Sequence, residues 1–334
     1  MKLAIIGTGK IVPDALYSME PLGDISLEAI FARPHSREKG EALALKYSIP
    51  RVYTDYGELL RDGNVDTVYI ALVNSVHYEY ARKALEMGRN VVLEKPFTGT
   101  YREAEELIGL ARAKDLYIFE AITVLHSEIM DKLRENLPRL GTIRLMTANY
   151  SQYSGRYDRY LAGDVDPYFD PAYLGGALRD INVYNLHYAA ALFGAPKTVR
   201  YIPNRGYNGV DISGAVILDY GGFLCVCIGA KDSDSPCFVS VQGEKGWMRI
   251  DGKPNAAQNL TIAVTGGEKA GEGLDSSGAS ARAFETDVFV PRAVRHRMTA
   301  EFGDFARIIA RKDRAEADRL AAETLEVMKI IDGC

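Results

Sequence analysis

The first third of the chain repeats one unit: a short, continuously apolar run followed by a helical pattern. Leu3–Ile6, Leu27–Ala32, Thr67–Leu72, Val91–Leu93 and Tyr117–Phe119 are the apolar runs. Strands that are apolar at every position, rather than at every second one, are buried on both faces, as in a parallel sheet. Strict alternation of strand and helix then implies right-handed crossovers and a doubly wound α/β sheet.

After about Glu120 the rhythm changes. The pattern predicts helices over Leu125–Leu137 and Ala177–Leu192, with a strand running from Gly141 toward Tyr150. Six further strands are predicted at Thr198–Ile202, Ile212–Asp219, Phe223–Ala230, Phe238–Gln242, Met248–Ile250 and Leu260–Val264. Tyr220-Gly221-Gly222 is a hairpin turn between two of them. Consecutive strands with short turns make an antiparallel sheet, hence a second domain of α+β type. The Gly- and Ser-rich stretch Thr265–Ala283 reads as a surface loop, and two closing helices are expected over Thr299–Arg311 and Ala315–Ile331. The 334 residues accordingly divide into an α/β domain, 1–121, and an α+β domain, 122–334, whose last helix is a candidate to pack back on the first.

The charge balance narrows the function classes. A net charge of -5 with no long basic run argues against nucleic-acid binding. No apolar run approaches the ~18 residues of a membrane helix, and the apolar stretch at the amino terminus is too short for a signal peptide. The four cysteines (225, 227, 237 and 334) form no metal-ligand pattern, and Cys225 and Cys227 share one strand face as expected buried thiols. The expectation is a cytoplasmic protein with a small-molecule substrate and no metal.

The turn after the first strand, Gly7-Thr8-Gly9-Lys10-Ile11-Val12, opens a helix. Gly7 permits a tight turn and Gly9 a close backbone approach to a pyrophosphate, which the helix amino terminus then favours electrostatically. Val12 replaces the third glycine, a position that serves helix packing. A dinucleotide is the expected ligand, with Gly7, Thr8, Gly9, Lys10 and Ile11 around it. NAD sites usually place an acid at the end of the second strand; here the chain reads Ala32-Arg33-Pro34-His35-Ser36-Arg37. Arg33, Ser36 and Arg37 either receive a 2′-phosphate, which favours NADP over NAD, or are solvated residues at a helix start with Ser36 as N-cap.

Glu94-Lys95-Pro96 follows the Val91–Leu93 strand, and Gly175-Gly176-Ala177-Leu178-Arg179-Asp180-Ile181-Asn182-Val183-Tyr184 lies further on. With Gly7-x-Gly9, these segments make the chain resemble the glucose–fructose oxidoreductase / inositol dehydrogenase (Gfo/Idh/MocA) family over essentially its whole length. The resemblance implies that Lys95 sits beside the nicotinamide and the reacting hydroxyl, with Glu94 and Pro96 in a turn that commonly holds a cis proline. It also implies an aspartate and a proton donor at Asp180 and Tyr184. Tyrosine at that last position is similar to the glucose–fructose oxidoreductase and dihydrodiol dehydrogenase branch. Asn74 and His77 match a family segment before the fourth helix, although its usual proline is Val73; both are expected at the cofactor, His77 near a helix start where it can line the nicotinamide pocket. Glu120-Ala121 also matches, but Ile122-Thr123-Val124-Leu125 departs from the aromatic segment that often follows. A homodimer or homotetramer, paired through an open-faced sheet, is implied as well.

Oxidising an alcohol needs a base within reach of the hydroxyl proton. Asp180, Tyr184 and His187 share one face of a predicted helix. Lys95 favours the Tyr184 phenolate if the two are close, so Lys95, Asp180 and Tyr184 are the candidate catalytic set. His187 is either a substrate contact or a hydrogen-bonded histidine under the sheet. The dense segment Tyr150–Tyr160, with Tyr153, Arg156 and Tyr157, either contacts a polyhydroxylated or anionic substrate or packs on a partner subunit. His35, His126 and His296 are expected at the surface or in structural positions. The reading is an NAD(P)-dependent dehydrogenase or reductase for a sugar, cyclic polyol or dihydrodiol. The alternatives are a dinucleotide-binding sensor or scaffold and, more remotely, an enzyme of NAD-assisted glycoside cleavage.

Overall fold

The computed structural model describes residues 1–266 and 282–334. Its first sheet has six parallel strands in the order β3-β2-β1-β4-β5-β6. They are β1 (Lys2–Ile6), β2 (Ser26–Phe31), β3 (Val52–Tyr53), β4 (Thr67–Ile70), β5 (Asn90–Glu94) and β6 (Ile118–Ala121). Between them run α1 (Ile11–Met19), α2 (Arg37–Lys46), α3 (Tyr56–Arg61), α4 (His77–Glu86) and α5 (Tyr101–Ala113). Leu3, Ile5, Val68 and Ile70 are fully buried, so helices cover both faces of this sheet. The two-residue β3 was not among the expected strands, being too short to carry a pattern. Local chemistry sets the helix starts: Asp55 caps α3, and Thr100 with Glu103 forms a capping box at α5.

The second domain contains α6 (Glu128–Asn136), β7 (Ile143–Ser151), α7 (Tyr157–Leu161) and α8 (Val183–Phe193). β8 (Thr198–Arg205), β9 (Asp211–Asp219) and β10 (Leu224–Ala230) follow as a meander. β11 (Phe238–Gly243), β12 (Gly246–Asp251), β13 (Asn259–Thr265) and β14 (Phe284–Phe289) complete an eight-stranded sheet, ordered β14-β13-β12-β11-β7-β10-β9-β8. Only β7 and β10 pair in parallel, because the meander returns alongside β7; the other pairs are antiparallel. One face is buried, with Met146, Ala148, Cys225 and Cys227 at 0–1% exposure, while Leu224 and Ile228 of β10 face outward. Both cysteines are free thiols.

Three expectations change in detail. The helix predicted over Leu125–Leu137 is broken, because Ser127 caps α6 and leaves Thr123–His126 as a separate 3-10 turn. The helix predicted from Ala177 opens with a π-helical turn, Leu178–Asn182, before α8 begins. β14 went unseen in a segment exposed at nearly every position. Most of the loop expected over Thr265–Ala283 lies outside the described residues.

The last two helices, α9 (Thr299–Arg311) and α10 (Arg314–Asp332), lie against the first domain. Asp332 accepts from the Tyr101 amide at 2.7 Å, and Thr324 donates to Glu120 at 2.9 Å. The Arg314 guanidinium sits 3.9 Å over the Tyr117 ring. None of the described helices is long and apolar enough to cross a membrane.

Candidate active site

A cleft of about 810 Å³ opens at the carboxyl ends of β1 and β4. These strands flank the point where the sheet order reverses, the general ligand position in doubly wound sheets. Gly7, Arg33, Leu72 and Glu94, from the ends of four strands, all line it. Its far wall comes from the second domain.

At the first-domain end, Gly7 has φ +121°, and a Cβ there would meet the Ala71 carbonyl at 2.6 Å. Only glycine fits. A Cβ on Gly9 would meet nothing closer than Ala71 O at 3.7 Å, so the protein itself leaves that side of the turn open to a ligand. Thr8, Lys10 and Ile11 also line the cleft, and α1 begins there without a side-chain cap. An uncapped helix amino terminus behind a glycine turn fits a pyrophosphate. Around the end of β2, Arg33, Ser36, His35 and Lys39 face the same cleft. His35 therefore belongs to the wall rather than to plain surface. Lys39 was missed because it lies one helical turn into α2, beyond the strand end. Ser36 gives α2 no side-chain cap; its hydroxyl donates to the Arg33 carbonyl at 3.1 Å. Arg37 turns away, paired with Glu41 at 2.8 Å.

At the domain junction, the Lys95–Pro96 peptide is cis, and Lys95 points across to the π-helical turn before α8. Its Nζ donates to the Asp180 carbonyl at 2.6 Å and to Asp180 Oδ1 at 3.0 Å. It lies 5.2 Å from the centre of the Tyr184 ring. Lys95, Asp180 and Tyr184 thus converge on the cleft wall. Burial opposes the charge on Lys95, but Tyr184 and Asp180 outweigh it and raise its pKa. Burial likewise opposes ionisation of Asp180, and Lys95 and Lys231 overcome it, holding the carboxyl far below the usual range. Both groups are charged at neutral pH.

Several expected residues stand elsewhere. His77 is fully buried, its ring between the Pro96 carbonyl at 3.0 Å and the Leu72 carbonyl at 3.2 Å. It sits beneath the turn that presents Lys95. Asn74 does line the cleft and donates to Leu174 O at 3.0 Å across the domains. His187 is fully buried, 3.3 Å from Glu120, one helical turn behind Tyr184 and off the cleft. Of the 150–160 segment, Arg156 reaches the wall, stacked 4.4 Å over Tyr168 and 3.1 Å from Asp166. Tyr157 packs with Tyr160 and Phe169 in a small satellite core, and Tyr153 bonds Asp158 at the surface.

The sequence reading missed Tyr168, Lys231 and Arg297, all on the wall, where Tyr150, the first residue of the 150–160 segment, also stands. Lys231 ends an apolar strand, an unusual place for a buried charge, and that was its one local signal. Arg297 sits just ahead of α9 and donates no hydrogen bond among the described residues. Tyr150, Tyr168 and Tyr184 with Gln152, Asn255 and Asp166 make the substrate end half aromatic and half hydrogen-bonding. Such a wall stacks on rings and holds hydroxyls.

Residues 1–121 match the model of an oxidoreductase family with an NAD-binding Rossmann fold, and residues 137–249 match the GFO/IDH/MocA carboxy-terminal domain. The chain belongs to this family. It is 37% identical over 251 residues to scyllo-inositol 2-dehydrogenase (NADP(+)) IolU of Bacillus subtilis, covering 75% of this chain and 76% of the relative. It is 30% identical over 261 residues to trans-1,2-dihydrobenzene-1,2-diol dehydrogenase of Sus scrofa, covering 75% and 74%. Among solved structures, KijD10, a 3-ketoreductase from Actinomadura kijaniata in complex with NADP and TDP-benzene, superposes with a TM-score of 0.79. That match is at 20% identity over 98% of this chain and 94% of the other. The aldose-aldose oxidoreductase of Caulobacter crescentus gives 0.79 at 18% identity over 99% and 95%. At these identities the structures establish the shared fold, with a parallel first sheet and a mostly antiparallel second. The chain is therefore an oxidoreductase with a nicotinamide-dinucleotide domain.

Proposed function

We propose that the protein is an NADP-preferring dehydrogenase or reductase acting on the alcohol–carbonyl pair of a cyclic polyol or sugar. The observation that carries this is the convergence of Lys95, Asp180 and Tyr184 beside a glycine turn shaped for a pyrophosphate. When bound, the nicotinamide supplies the hydride acceptor or donor. Tyr184 exchanges the hydroxyl proton of the substrate, as its place on the cleft wall supports. Lys95 stabilises the anionic oxygen, and Asp180 aims Lys95 from the opposite domain. Arg33, Ser36 and Lys39 hold the 2′-phosphate, consistent with the absence of an acid at the end of β2. The NADP in the name of the B. subtilis relative supports the same preference. The polar, aromatic substrate end supports a ring bearing several hydroxyls, of which scyllo-inositol is the first to test. Outward Leu224 and Ile228 support pairing of two copies through the open sheet face.

The experiment is a panel of inositols, aldoses and trans-dihydrodiols with NADP⁺, and the matching ketones with NADPH. Turnover that disappears in Lys95→Met and Tyr184→Phe, with NADPH binding kept, is the expected result. Equal turnover in both variants defeats the assignment, and dinucleotide binding without any turnover favours a sensor.

A further inference from the structure

A second buried ammonium stands at the reaction site without a part in that chemistry. Lys231 follows β10 and is 2% exposed. Its Nζ donates to the Tyr168 carbonyl at 2.6 Å and lies 2.8 Å from Asp180 Oδ2. It also stands 4.1 Å from the centre of the Phe169 ring. Asp180 Oδ1 meanwhile takes Lys95 at 3.0 Å. One carboxylate therefore bridges two ammonium ions, one from each domain.

Lys95 and Asp180 alone would form a neutral pair, and the carboxylate would cancel much of the ammonium's field at the cleft. With Lys231 on the far oxygen the trio carries one surplus positive charge. Carried by side chains only 3–16% exposed, that surplus favours an anion, phenolate or alkoxide, at the adjoining wall. A buried ion triad does little for folding, since desolvation offsets attraction; its effect falls on the site.

The groups facing Lys231 come from every neighbouring element. Asp180 belongs to the turn before α8, Tyr168 and Phe169 to the segment after α7, and Lys95 to the turn after β5. Asp211 on β9, held by the Tyr201 hydroxyl and the Leu178 amide at 2.6 Å each, lies beyond 4 Å from the Lys231 ammonium, where its attraction is weaker. Asp180 is the one carboxylate among them within 4 Å of Lys231.

We propose that Lys231 is a positioning residue: by occupying Asp180 Oδ2 it turns Oδ1 toward Lys95 and leaves one positive charge uncancelled at the cleft. This rests on the reading that Lys95 and Tyr184 carry the proton chemistry.

Lys231→Gln keeps a donor for the Tyr168 carbonyl and deletes the charge; Lys231→Met deletes both; Lys231→Arg keeps the charge. In steady-state oxidation with NADP⁺ the neutral variants are expected to lose about tenfold or more in kcat. Their rise of kcat with pH should move upward, because a proton leaves less readily once the surplus charge is gone. Lys231→Arg should keep the wild-type pH profile. A higher substrate KM with kcat and pH profile unchanged in the neutral variants makes Lys231 a mere support for the 165–170 segment and overturns the proposal. Failure of both neutral variants to bind NADPH, with Lys231→Arg intact, assigns the residue to folding and overturns it equally. Lys95→Met separates the two levels. If it retains wild-type turnover, the underlying reading falls; if it is inactive while Lys231→Gln matches wild type, only this inference falls.

Discussion

Asp180 holds Lys95 twice across the domain junction, through its backbone carbonyl at 2.6 Å and its carboxylate at 3.0 Å. The backbone contact survives any substitution of the side chain, so the two bonds are separable. Asp180→Asn leaves Lys95 in place but strands two buried ammonium groups without a counter-charge. We expect a stability loss of about 3 kcal/mol or more at pH 7, measured by denaturant unfolding. The Asp180 carboxyl is depressed in the folded state, so its contribution is present above the ordinary carboxylate pKa and lost only as pH falls through the folded value. The gap between wild type and variant should therefore persist at pH 4 and close only in stronger acid.

Gly7 carries the tightest steric requirement of the nucleotide end. Gly7→Ala places a methyl 2.6 Å from the Ala71 carbonyl at φ +121°. The strain should cost about 1–3 kcal/mol and move the turn enough to remove NADPH binding, measured by fluorescence titration. Gly9→Ala, with only Ala71 O at 3.7 Å, should keep wild-type thermal stability and lose nucleotide affinity all the same.

Cofactor preference is localised to the end of β2 and the start of α2. The double variant Arg33→Ala/Lys39→Ala should weaken NADPH about a hundredfold or more, since two charge-assisted bonds to a phosphate are lost, each worth roughly 1.5–3 kcal/mol. NADH affinity should change little, and the preference should shrink with added salt. Equal losses for both nucleotides would place the 2′-phosphate elsewhere.

Glu301 on α9 is 1% exposed, and among the described residues neither of its carboxyl oxygens has a hydrogen-bond partner. Burial, then the neighbouring Glu94, push its pKa well above the ordinary range. A raised acid binds its proton more tightly folded than unfolded, so stability falls as pH rises above the unfolded pKa. Glu301→Gln removes that penalty. Its melting temperature should match wild type near pH 4 and exceed it increasingly toward pH 8, followed by differential scanning fluorimetry.

The first sheet was legible because burial on both faces forces apolar residues at every strand position, as in Leu3–Ile6 and Thr67–Ile70. The glycine turn and Lys95 were legible for a related reason: they end such strands, where the crevice must open. Tyr184 and Asp180 came through the resemblance of Gly175–Tyr184 to the family's segment, and their spacing along one helical face only agreed with it. His187 shared that spacing, yet three residues on from Tyr184 the helix has turned toward Glu120 and the core. Periodicity names a face, and depth along the helix decides which of its residues meet the cleft. β3 and β14 were too short or too exposed to show a pattern.

Local sequence determined the strands of the first domain and the caps of α3 and α5, each of which depends on neighbours within a few residues; the demand for glycine at position 7 comes in part from the Ala71 carbonyl at the end of a neighbouring strand. The charge of the site was decided by tertiary structure alone. Lys95, Asp180 and Lys231 stand 85 and 51 residues apart along the chain, and neither lysine carries a local mark of the carboxylate it will share. Packing the second sheet against the first domain brings two ammonium ions onto one carboxylate, and Coulomb attraction over 3 Å acts only once that packing exists.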